Sequence, residues 1–145
     1  MWKYKNKEII DEDIPKKTIG FIYIIINKLN NKKYIGKKLL TKAVYKTVNK
    51  VKKKIRKESN WKDYYSSSDI LLDDIEKNGK ENFERIILHF CTNKTELNFL
   101  EEELQYKFKV LRNEDWYNSN IRSRFFKNRI LNKIVDIEEI YNTYK

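Results

Sequence analysis

The sequence predicts an α+β domain in which a three-stranded antiparallel sheet is flanked by helices. Short runs rich in β-branched and aromatic residues are typical of strands, and they occur at 20–27, 33–38 and 83–90. A later segment instead repeats its apolar residues at the spacing of an amphipathic helix, at Leu97, Leu100, Leu104 and Phe108. Strands and helices of this kind together predict the α+β class.

The first two strands are expected to form an antiparallel hairpin, because residues 27–32 between them are turn-forming. Side chains alternate between the two faces of a strand. In residues 20–27, one face of the strand is therefore expected to carry Ile22, Ile24 and Ile26, and the other face Phe21, Tyr23 and Ile25. In the second strand, one face carries Tyr34, Gly36 and Lys38.

Capping residues set the expected ends of the helices. Ser67 or Ser68 can begin a helix that stops at Asn78-Gly79. Thr92 or Asn93 can begin the long helix, which is expected to run to about Leu111. A terminal helix is predicted over 128–144, with one apolar stripe formed by Ile130, Ile134, Ile137 and Tyr141.

These elements divide the chain into three parts. Residues 1–18 are polar, lack periodicity and contain the single proline, so they are interpreted as a loosely held N-terminal arm. The folded domain is predicted over 19–121, with a lysine-rich insertion at 39–60 that is expected to be a mobile loop or a frayed helix. Residues 122–145 are expected to form a basic C-terminal helix.

Length and composition exclude several classes of protein. The chain has 145 residues, which suits one domain, and a formal net charge of +11. Its single cysteine, Cys91, excludes a disulfide scaffold and a zinc site built on thiolates. The longest nearly unbroken apolar run, 21–26, is far shorter than a membrane span, and the N-terminus does not resemble a signal peptide. A reducing cytoplasmic location is therefore expected.

Basic residues are segregated along the sequence, since residues 32–57 contain no acid and a second basic group lies at 122–133. Segregation favours a basic face that binds nucleic acid over an anionic membrane, although solvation alone explains many lysine runs. Binding is expected to be salt-dependent and directed at phosphates. The candidate contacts are Lys37, Lys42, Lys52, Lys53, Lys54, Arg122 and Arg124.

The hairpin carries Phe21-Ile22-Tyr23 in its first strand and Tyr34-Ile35-Gly36 in its second, which resembles the signature of the GIY-YIG endonucleases. Downstream sequence extends the resemblance, most visibly 61–68, 99–101 and Trp116-Tyr117-Asn118. These segments look like the branch encoded by large tailed phages and related to their free-standing homing endonucleases. The resemblance covers about 19–121 and implies a DNA endonuclease, acting in the host cytoplasm if phage-encoded.

The sequence departs from the family pattern in the first signature tripeptide and, more seriously, in the stretch after the second. Phe21 replaces the first glycine of the signature, which has little effect if only the tyrosine carries chemistry. The stretch after Gly36, where many family members place an arginine, is rich in lysine instead. Lys38 is therefore the first candidate to replace that arginine, and Arg56 is the second.

The resemblance implies that one glutamate of the long helix holds a divalent metal, and the matching residue is Glu101. Glu101 flanks the predicted apolar stripe, whereas Glu102 and Glu103 are expected to turn outward as a solvated acidic face. Hard oxygen ligands and few protein contacts suit Mg²⁺, or Mn²⁺ in its place. Glu101 itself could also belong to the solvated face.

The tyrosines of the signature have implied roles as well. Tyr23 would accept the proton of the attacking water and Tyr34 would orient water or phosphate, with nearby cations lowering the phenol pKa. Gly36 would let a phosphate approach the strand, or would only permit a bulge. Asn118 matches a family asparagine that holds the site together by hydrogen bonds. The tyrosines could instead be half-buried sheet aromatics, and Asn118 an ordinary turn residue.

The remaining polar residues do not suggest another chemistry. His89 is the single histidine and is interpreted as structural, and Cys91 as a packed core residue. Trp61, Tyr64 and Tyr65 are assigned to core packing rather than base stacking. The sequence thus predicts a Mg²⁺-dependent endonuclease that acts on double-stranded DNA. The alternatives are a catalytically silent nucleic-acid-binding protein and a basic RNA-binding protein.

Overall fold

A five-stranded sheet forms the centre of the structure, a computed structural model that describes residues 1–121 and 133–145. Its strands are β1 (Trp2–Tyr4), β2 (Lys7–Glu8), β3 (Gly20–Asn27), β4 (Lys33–Leu39) and β7 (Phe83–Cys91). They lie in the order β2-β1-β7-β3-β4, and every pairing is antiparallel except the parallel β1–β7 pair. The predicted α+β class is confirmed, whereas the predicted number of three strands is wrong.

Within residues 1–121 and 133–145, three helices accompany the sheet: α1 (Asp69–Asn78), α2 (Lys94–Lys107) and α3 (Ile137–Tyr144). Ser68 caps α1 by accepting a hydrogen bond from the Leu71 amide, and α1 ends at Gly79, whose φ of 86° suits only glycine. Asn93 caps α2 in the same way through the Glu96 amide. These starts and the α1 stop agree with the sequence. Among the described residues, no helix is long and apolar enough to cross a membrane.

Two apolar cores lie on the two faces of the sheet. Phe21, Tyr23 and Ile25 face the core that includes Leu71 and Ile75 of α1. Ile22 and Ile24 face the opposite core, which α2 covers with Leu97, Leu100 and Leu104. The predicted division of β3 into two faces is therefore confirmed, and because both faces are covered, nearly every residue of β3 is buried.

The N-terminal segment is not a loose arm, which corrects the expectation for residues 1–18. Strand β1 pairs with β7, and the buried Trp2 indole donates a 2.7 Å hydrogen bond to the carbonyl of Trp61. Ile9 is buried as well. The segment is held by long-range contacts to β7 and Trp61, which its own polar and aperiodic sequence does not encode.

The lysine-rich insertion is also ordered differently from the prediction of a mobile loop or frayed helix. It forms a separate two-stranded antiparallel ribbon of β5 (Thr41–Val48) and β6 (Val51–Glu58). Asn49 and Lys50 make the tight turn between them, both with positive φ. Two such residues suit the primed turns that match strand twist. The apolar spacing is irregular for a helix because it belongs to two short strands.

The C-terminal half of the chain shows two shorter helices than expected. Helix α2 ends at Lys107 and is followed by Lys109 in a left-handed conformation and a 3-10 turn at Val110–Arg112. Helix α3 begins only at Ile137, after a non-helical stretch at 133–136. The remainder of the predicted terminal helix lies outside the described residues.

Candidate active site

A cleft of about 400 Å³ opens beside β4, the edge strand of the sheet. Tyr23 and Tyr34 reach it from the face covered by α1, and Glu101 reaches it from α2 on the other face. Both faces contribute because the sheet ends at this strand. The complete lining is Tyr23, Tyr34, Lys37, Tyr64, Ser67, Ser68, Glu101, Gln105, Asn118, Ser119 and Asn120.

The two signature tyrosines lie side by side at the floor of this cleft. Their ring centroids are 6.1 Å apart, and the ring of Tyr64 lies 6.1 Å from that of Tyr23. Burial raises the pKa of Tyr23 well above its ordinary value, and the neighbouring Tyr34 and Tyr64 raise it further. Burial also raises the pKa of Tyr34, against the opposing effect of a hydrogen bond with Ser67. Both phenols therefore hold their protons in the free protein at neutral pH.

Gly36 is required by the position of Tyr23. The two residues are cross-strand partners, and the Tyr23 ring lies over the glycine. A Cβ atom added to Gly36 would lie 2.5 Å from Cζ of Tyr23 and 2.8 Å from Cε1 of Tyr34, which no packed structure tolerates. The space that was expected to admit a phosphate is thus occupied by the tyrosine, and the described β3–β4 register shows no bulge at Gly36.

Glu101 is a largely buried carboxylate with one cation beside it. Its side chain is 18% exposed, and its Oε1 lies 3.9 Å from Nζ of Lys37. Burial raises the pKa of Glu101, and the nearby Lys37 ammonium partly opposes that rise. Lys37 also donates a hydrogen bond to Oδ1 of Asn98. The ammonium is thereby held between α2 and the cleft.

Asn118 closes the open edge of β4. Its Oδ1 accepts a 3.0 Å hydrogen bond from the amide of Ile35, and its Nδ2 donates a 2.7 Å hydrogen bond to the carbonyl of the same residue. Just before it, Asp115 and Tyr117 make backbone hydrogen bonds with Lys33. The side chain of Asn118 thus continues the pairing that a neighbouring strand would supply, and holds the 118–120 wall of the cleft against β4.

The two candidates for the missing family arginine lie outside the cleft. Lys38 Nζ sits over the ring of Tyr64, 3.9 Å from its centroid, and burial together with Lys42 lowers the pKa of Lys38. Arg56 donates hydrogen bonds to the side chain and the carbonyl of Thr41. Both line an adjoining hollow of about 410 Å³ that shares Lys37 and Tyr64 with the cleft. Among the described residues that line the cleft, the cation is Lys37, which the sequence assigned only to phosphate contact.

The other predicted nucleic-acid contacts are spread along the ribbon. Lys42 lies at its base and Lys52, Lys53 and Lys54 are exposed on β6. Arg122 and Arg124 lie outside the described residues. Sequence reasoning gave Ser67, Ser68 and Gln105 no role in the site, although the segment 61–68 carries part of the family resemblance. The alternation of β4 does place Lys37 opposite Tyr34, toward α2.

Glu102 is buried, at 8% exposure, so the prediction that it faces solvent is wrong. Helix α2 contacts the sheet and also the 3-10 turn at Val110–Arg112 and α3, so a wider arc of it is covered than one apolar stripe indicates.

A second polar cluster lies away from the cleft, where His89, Cys91 and Glu96 place their ligand atoms within 4.8 Å of one another. Oε2 of Glu96 lies 3.5 Å from Nζ of Lys133, and its Oε1 lies 3.6 Å from His89. Burial raises the pKa of the Cys91 thiol and lowers the pKa of His89. These contacts satisfy the carboxylate within the protein, and Cys91 is the packed core residue that the sequence predicts.

Comparison with known proteins gives one match. Residues 2–121 match the family model described as "Putative endonuclease segE, GIY-YIG domain". No curated protein and no solved structure matches the chain. The matched range contains every residue of the cleft and confirms the phage branch that the motifs indicated. The chain therefore belongs to the GIY-YIG family of endonucleases, which are phosphodiester hydrolases.

Proposed function

We propose that the chain is a divalent-metal-dependent endonuclease that hydrolyses phosphodiester bonds of double-stranded DNA in the cleft beside β4. The observation that supports this proposal is that a carboxylate, an ammonium group and the two signature phenols line one cleft. These groups belong to Glu101, Lys37, Tyr23 and Tyr34. Hydrolysis of a phosphodiester needs an oriented water, a group to take its proton and positive charge for the transition state. The cleft offers residues for each.

The donor set of the cleft fits a hard divalent cation. Among the described residues that line it, Glu101 is the one carboxylate, and Ser67, Gln105 and Asn118 add neutral oxygens. A single carboxylate suits Mg²⁺, which keeps most of its waters, and Mn²⁺ accepts the same ligands. The pKa of Glu101 is raised by burial, and the Lys37 ammonium alone does not offset that effect, so a further cation would stabilise the ionised carboxylate. Bound there, the metal would polarise the scissile phosphate and acidify a water.

Tyr23 is the proposed acceptor of the water proton. Its hydroxyl lies over Gly36 of β4 and its side chain lines the cleft, and its raised pKa makes a phenolate strongly basic once formed. The phenol must therefore first release its own proton to bulk solvent, which is the demanding step, and positive charge near Tyr23 favours it. Tyr34, which also lines the cleft, is placed to orient the water or a phosphate oxygen by donating its hydroxyl proton in a hydrogen bond.

Lys37 is the proposed counter-charge for the phosphate in place of the family arginine. Its ammonium group lies in the cleft beside Glu101, whereas Lys38 stacks on Tyr64 and Arg56 binds Thr41 in the adjoining hollow. Lys38 and Arg56 are then placed to hold the DNA backbone just outside the cleft. Exchanging each lysine for glutamine separates these roles, because only the cation at the reacting phosphate affects the turnover of bound substrate.

The test is cleavage of supercoiled plasmid at low salt with Mg²⁺, Mn²⁺ or EDTA. We expect metal-dependent nicking or linearisation, reduced at least about 100-fold by Glu101→Gln and by Tyr23→Phe. Lys37→Gln should lower single-turnover cleavage about 100-fold, and Lys38→Gln less than about tenfold. Glu103→Gln on the same helix is the matched control and should cleave like the wild type.

Two outcomes would overturn the proposal. Plasmid that is bound but stays intact with every metal indicates the silent nucleic-acid-binding protein. Tighter binding to RNA than to duplex DNA indicates the RNA-binding alternative.

The match to a domain described as segE also supports a phage homing-type role. Cutting a long duplex at one defined site, rather than at many, tests that role.

A further inference from the structure

The ribbon formed by β5 and β6 stands apart from both apolar cores. Its strands pair along their full length from Thr41–Glu58 to Val48–Val51, and they form a separate sheet. Every residue of β6 is exposed, and neither core contains a residue from 41–58. A two-stranded ribbon is only marginally stable by itself. A partner that packs against the arm would therefore stabilise it.

The charge of this arm indicates what that molecule is. Residues 42–57 contain eight basic residues and no acidic one. Lys42 is the cross-strand partner of Lys57, and Lys46 is the partner of Lys53, although like charges placed opposite one another destabilise a strand pair. A polyanion removes that repulsion. An apolar protein surface would leave these ammonium groups without a counter-ion.

The base of the ribbon is continuous with the candidate active site. Lys38, Lys42, Arg56 and Lys94 line the hollow of about 410 Å³ that shares Lys37 and Tyr64 with the cleft. A backbone that enters the cleft can therefore pass along these cations and onto the ribbon. The substrate of the cleft and the partner of the ribbon are then one polyanion.

We propose that the β5–β6 ribbon is a DNA-binding arm that lies in the major groove of the duplex that the cleft cuts. This inference rests on the proposed function for the identity of the polyanion. The major groove, about 12 Å wide and 8.5 Å deep, admits a two-stranded ribbon, whereas the minor groove is only about 6 Å wide. Eight residues per strand give the arm a length of about 26 Å, enough to follow most of one helical turn.

Both faces of the ribbon suit a groove. One face alternates lysine pairs with Val44–Ile55 and Val48–Val51 pairs, and the other carries Lys52, Lys54 and Arg56. Cations therefore point both ways, as they must where phosphates form both walls. The deep, narrow major groove of A-form RNA excludes such a ribbon. The interruption of the apolar pairs by lysines disfavours insertion into a membrane, which requires one continuous apolar face.

The experiment measures binding in the Glu101→Gln background, so that cleavage does not interfere. A labelled 24-base-pair duplex is titrated by fluorescence anisotropy at several salt concentrations. The arm variant changes Lys46, Lys52, Lys53 and Lys54 to glutamine. The control replaces four exposed lysines outside the arm by glutamine as well: Lys7, Lys16, Lys28 and Lys77. The two variants carry the same net charge.

We expect the arm variant to bind at least about 30-fold more weakly near 0.15 M salt, and the control within about threefold of the parent. The slope of log affinity against log salt should fall by about 3 to 4 for the arm variant, since each lost phosphate contact contributes about 0.9. Equal weakening of both variants would overturn the inference, because net charge rather than the arm would then explain binding.

The groove is tested with modified duplexes. Bulky groups at the pyrimidine C5 position project into the major groove and should weaken binding about tenfold or more, while a minor-groove ligand should not compete. The proposal is overturned if a minor-groove ligand competes while the C5 groups have no effect. It is also overturned if the protein binds duplex RNA or anionic vesicles more tightly than duplex DNA.

A second variant replaces residues 42–57 by an Asn-Gly turn between Thr41 and Glu58, which are cross-strand partners. This variant should keep the helical circular dichroism signal of the parent, and its affinity for the duplex should fall as much as that of the arm variant.

Failure of this inference and failure of the proposed function are distinguishable. Wild-type cleavage with unchanged affinity of the arm variant refutes the arm and leaves the nuclease. Absence of cleavage with a large affinity loss refutes the nuclease and leaves a DNA-binding arm.

Discussion

Replacing Asn118 by alanine should destabilise the fold, because this side chain completes the pairing of the edge strand. The substitution removes two hydrogen bonds to Ile35, a residue with 0% exposure, and leaves its amide and carbonyl without those partners. Each bond contributes about 1 kcal/mol net, and each buried group left unpaired adds a further penalty of similar size. Entry of water from the cleft offsets part of this penalty, so the expected loss is about 3 kcal/mol.

Thermal unfolding followed by circular dichroism measures this effect. A loss of about 3 kcal/mol should lower the Tm by about 9 °C in a domain of this size. Ser119→Ala is the control, since Ser119 is the next residue along and is exposed. It should shift the Tm by less than about 2 °C. If Asn118→Ala unfolds within about 2 °C of the control, the hydrogen-bonding role of Asn118 is refuted.

Asn118→Asp separates hydrogen bonding from packing, since the two side chains have the same shape. The aspartate can still accept from the Ile35 amide, but its second oxygen faces the Ile35 carbonyl, where Nδ2 now donates over 2.7 Å. A protonated carboxyl can donate there, so folding raises the pKa of the new side chain. Its stabilising contribution is therefore present at low pH and lost as the pH rises through that raised pKa. The difference in Tm between Asn118→Asp and the wild type should therefore be smaller at pH 4 than at pH 7. An equal difference at both pH values would contradict the role of the Nδ2 hydrogen bond.

Three further predictions concern the cleft. Gly36→Ala should lower plasmid cleavage at least about 100-fold and reduce stability by about 1 to 3 kcal/mol in a thermal melt, because its Cβ displaces the Tyr23 ring; wild-type values in both assays would contradict the packing. Glu101→Gln should abolish cleavage yet raise the Tm by about 2 °C at pH 8, since burial raises the pKa of this carboxyl and its ionised form destabilises the fold above that pKa. That gain should vanish toward pH 4, where the native carboxyl is protonated; an equal gain at both pH values would exclude the charge as its cause. Finally, the single-turnover rate should rise about tenfold per pH unit between pH 6.5 and 8.5 because the pKa of Tyr23 is raised; a flat profile would rule out Tyr23 as the proton acceptor.

Local sequence predicted the elements whose signals are contained within them. The alternation of β3, the Ser68 and Asn93 caps and the stop at Gly79 depend on residues adjacent in the chain. The signature hairpin also placed Tyr23 and Tyr34 on neighbouring strands, which the β3–β4 pairing confirms. Short-range patterns of this kind are read directly from hydrophobic periodicity and capping chemistry.

The remaining features depend on contacts between distant parts of the chain. Strand β1 exists because it pairs with β7, some eighty positions later, and Trp2 is buried through a hydrogen bond to Trp61. The sequence predicted a loop or frayed helix where the ribbon forms, because Asn49-Lys50 is a weaker turn signal than Asn-Gly. The meeting of Lys37 with Glu101 follows from the position of β4 at the sheet edge, which no local pattern specifies.

The hydrogen bonds of Asn118 join residues 83 positions apart in the sequence. A ribosome must therefore synthesise the chain as far as Asn118 before the edge strand β4 is covered and the 118–120 wall of the cleft forms. Tyr23 and Tyr34 emerge early, but Glu101 and Asn118 emerge late, so an N-terminal fragment carries the cationic ribbon without a complete site. Slow closure of such distant contacts is usual in sheet proteins. For an enzyme made inside a cell full of DNA, this order of synthesis couples cutting to completion of the fold.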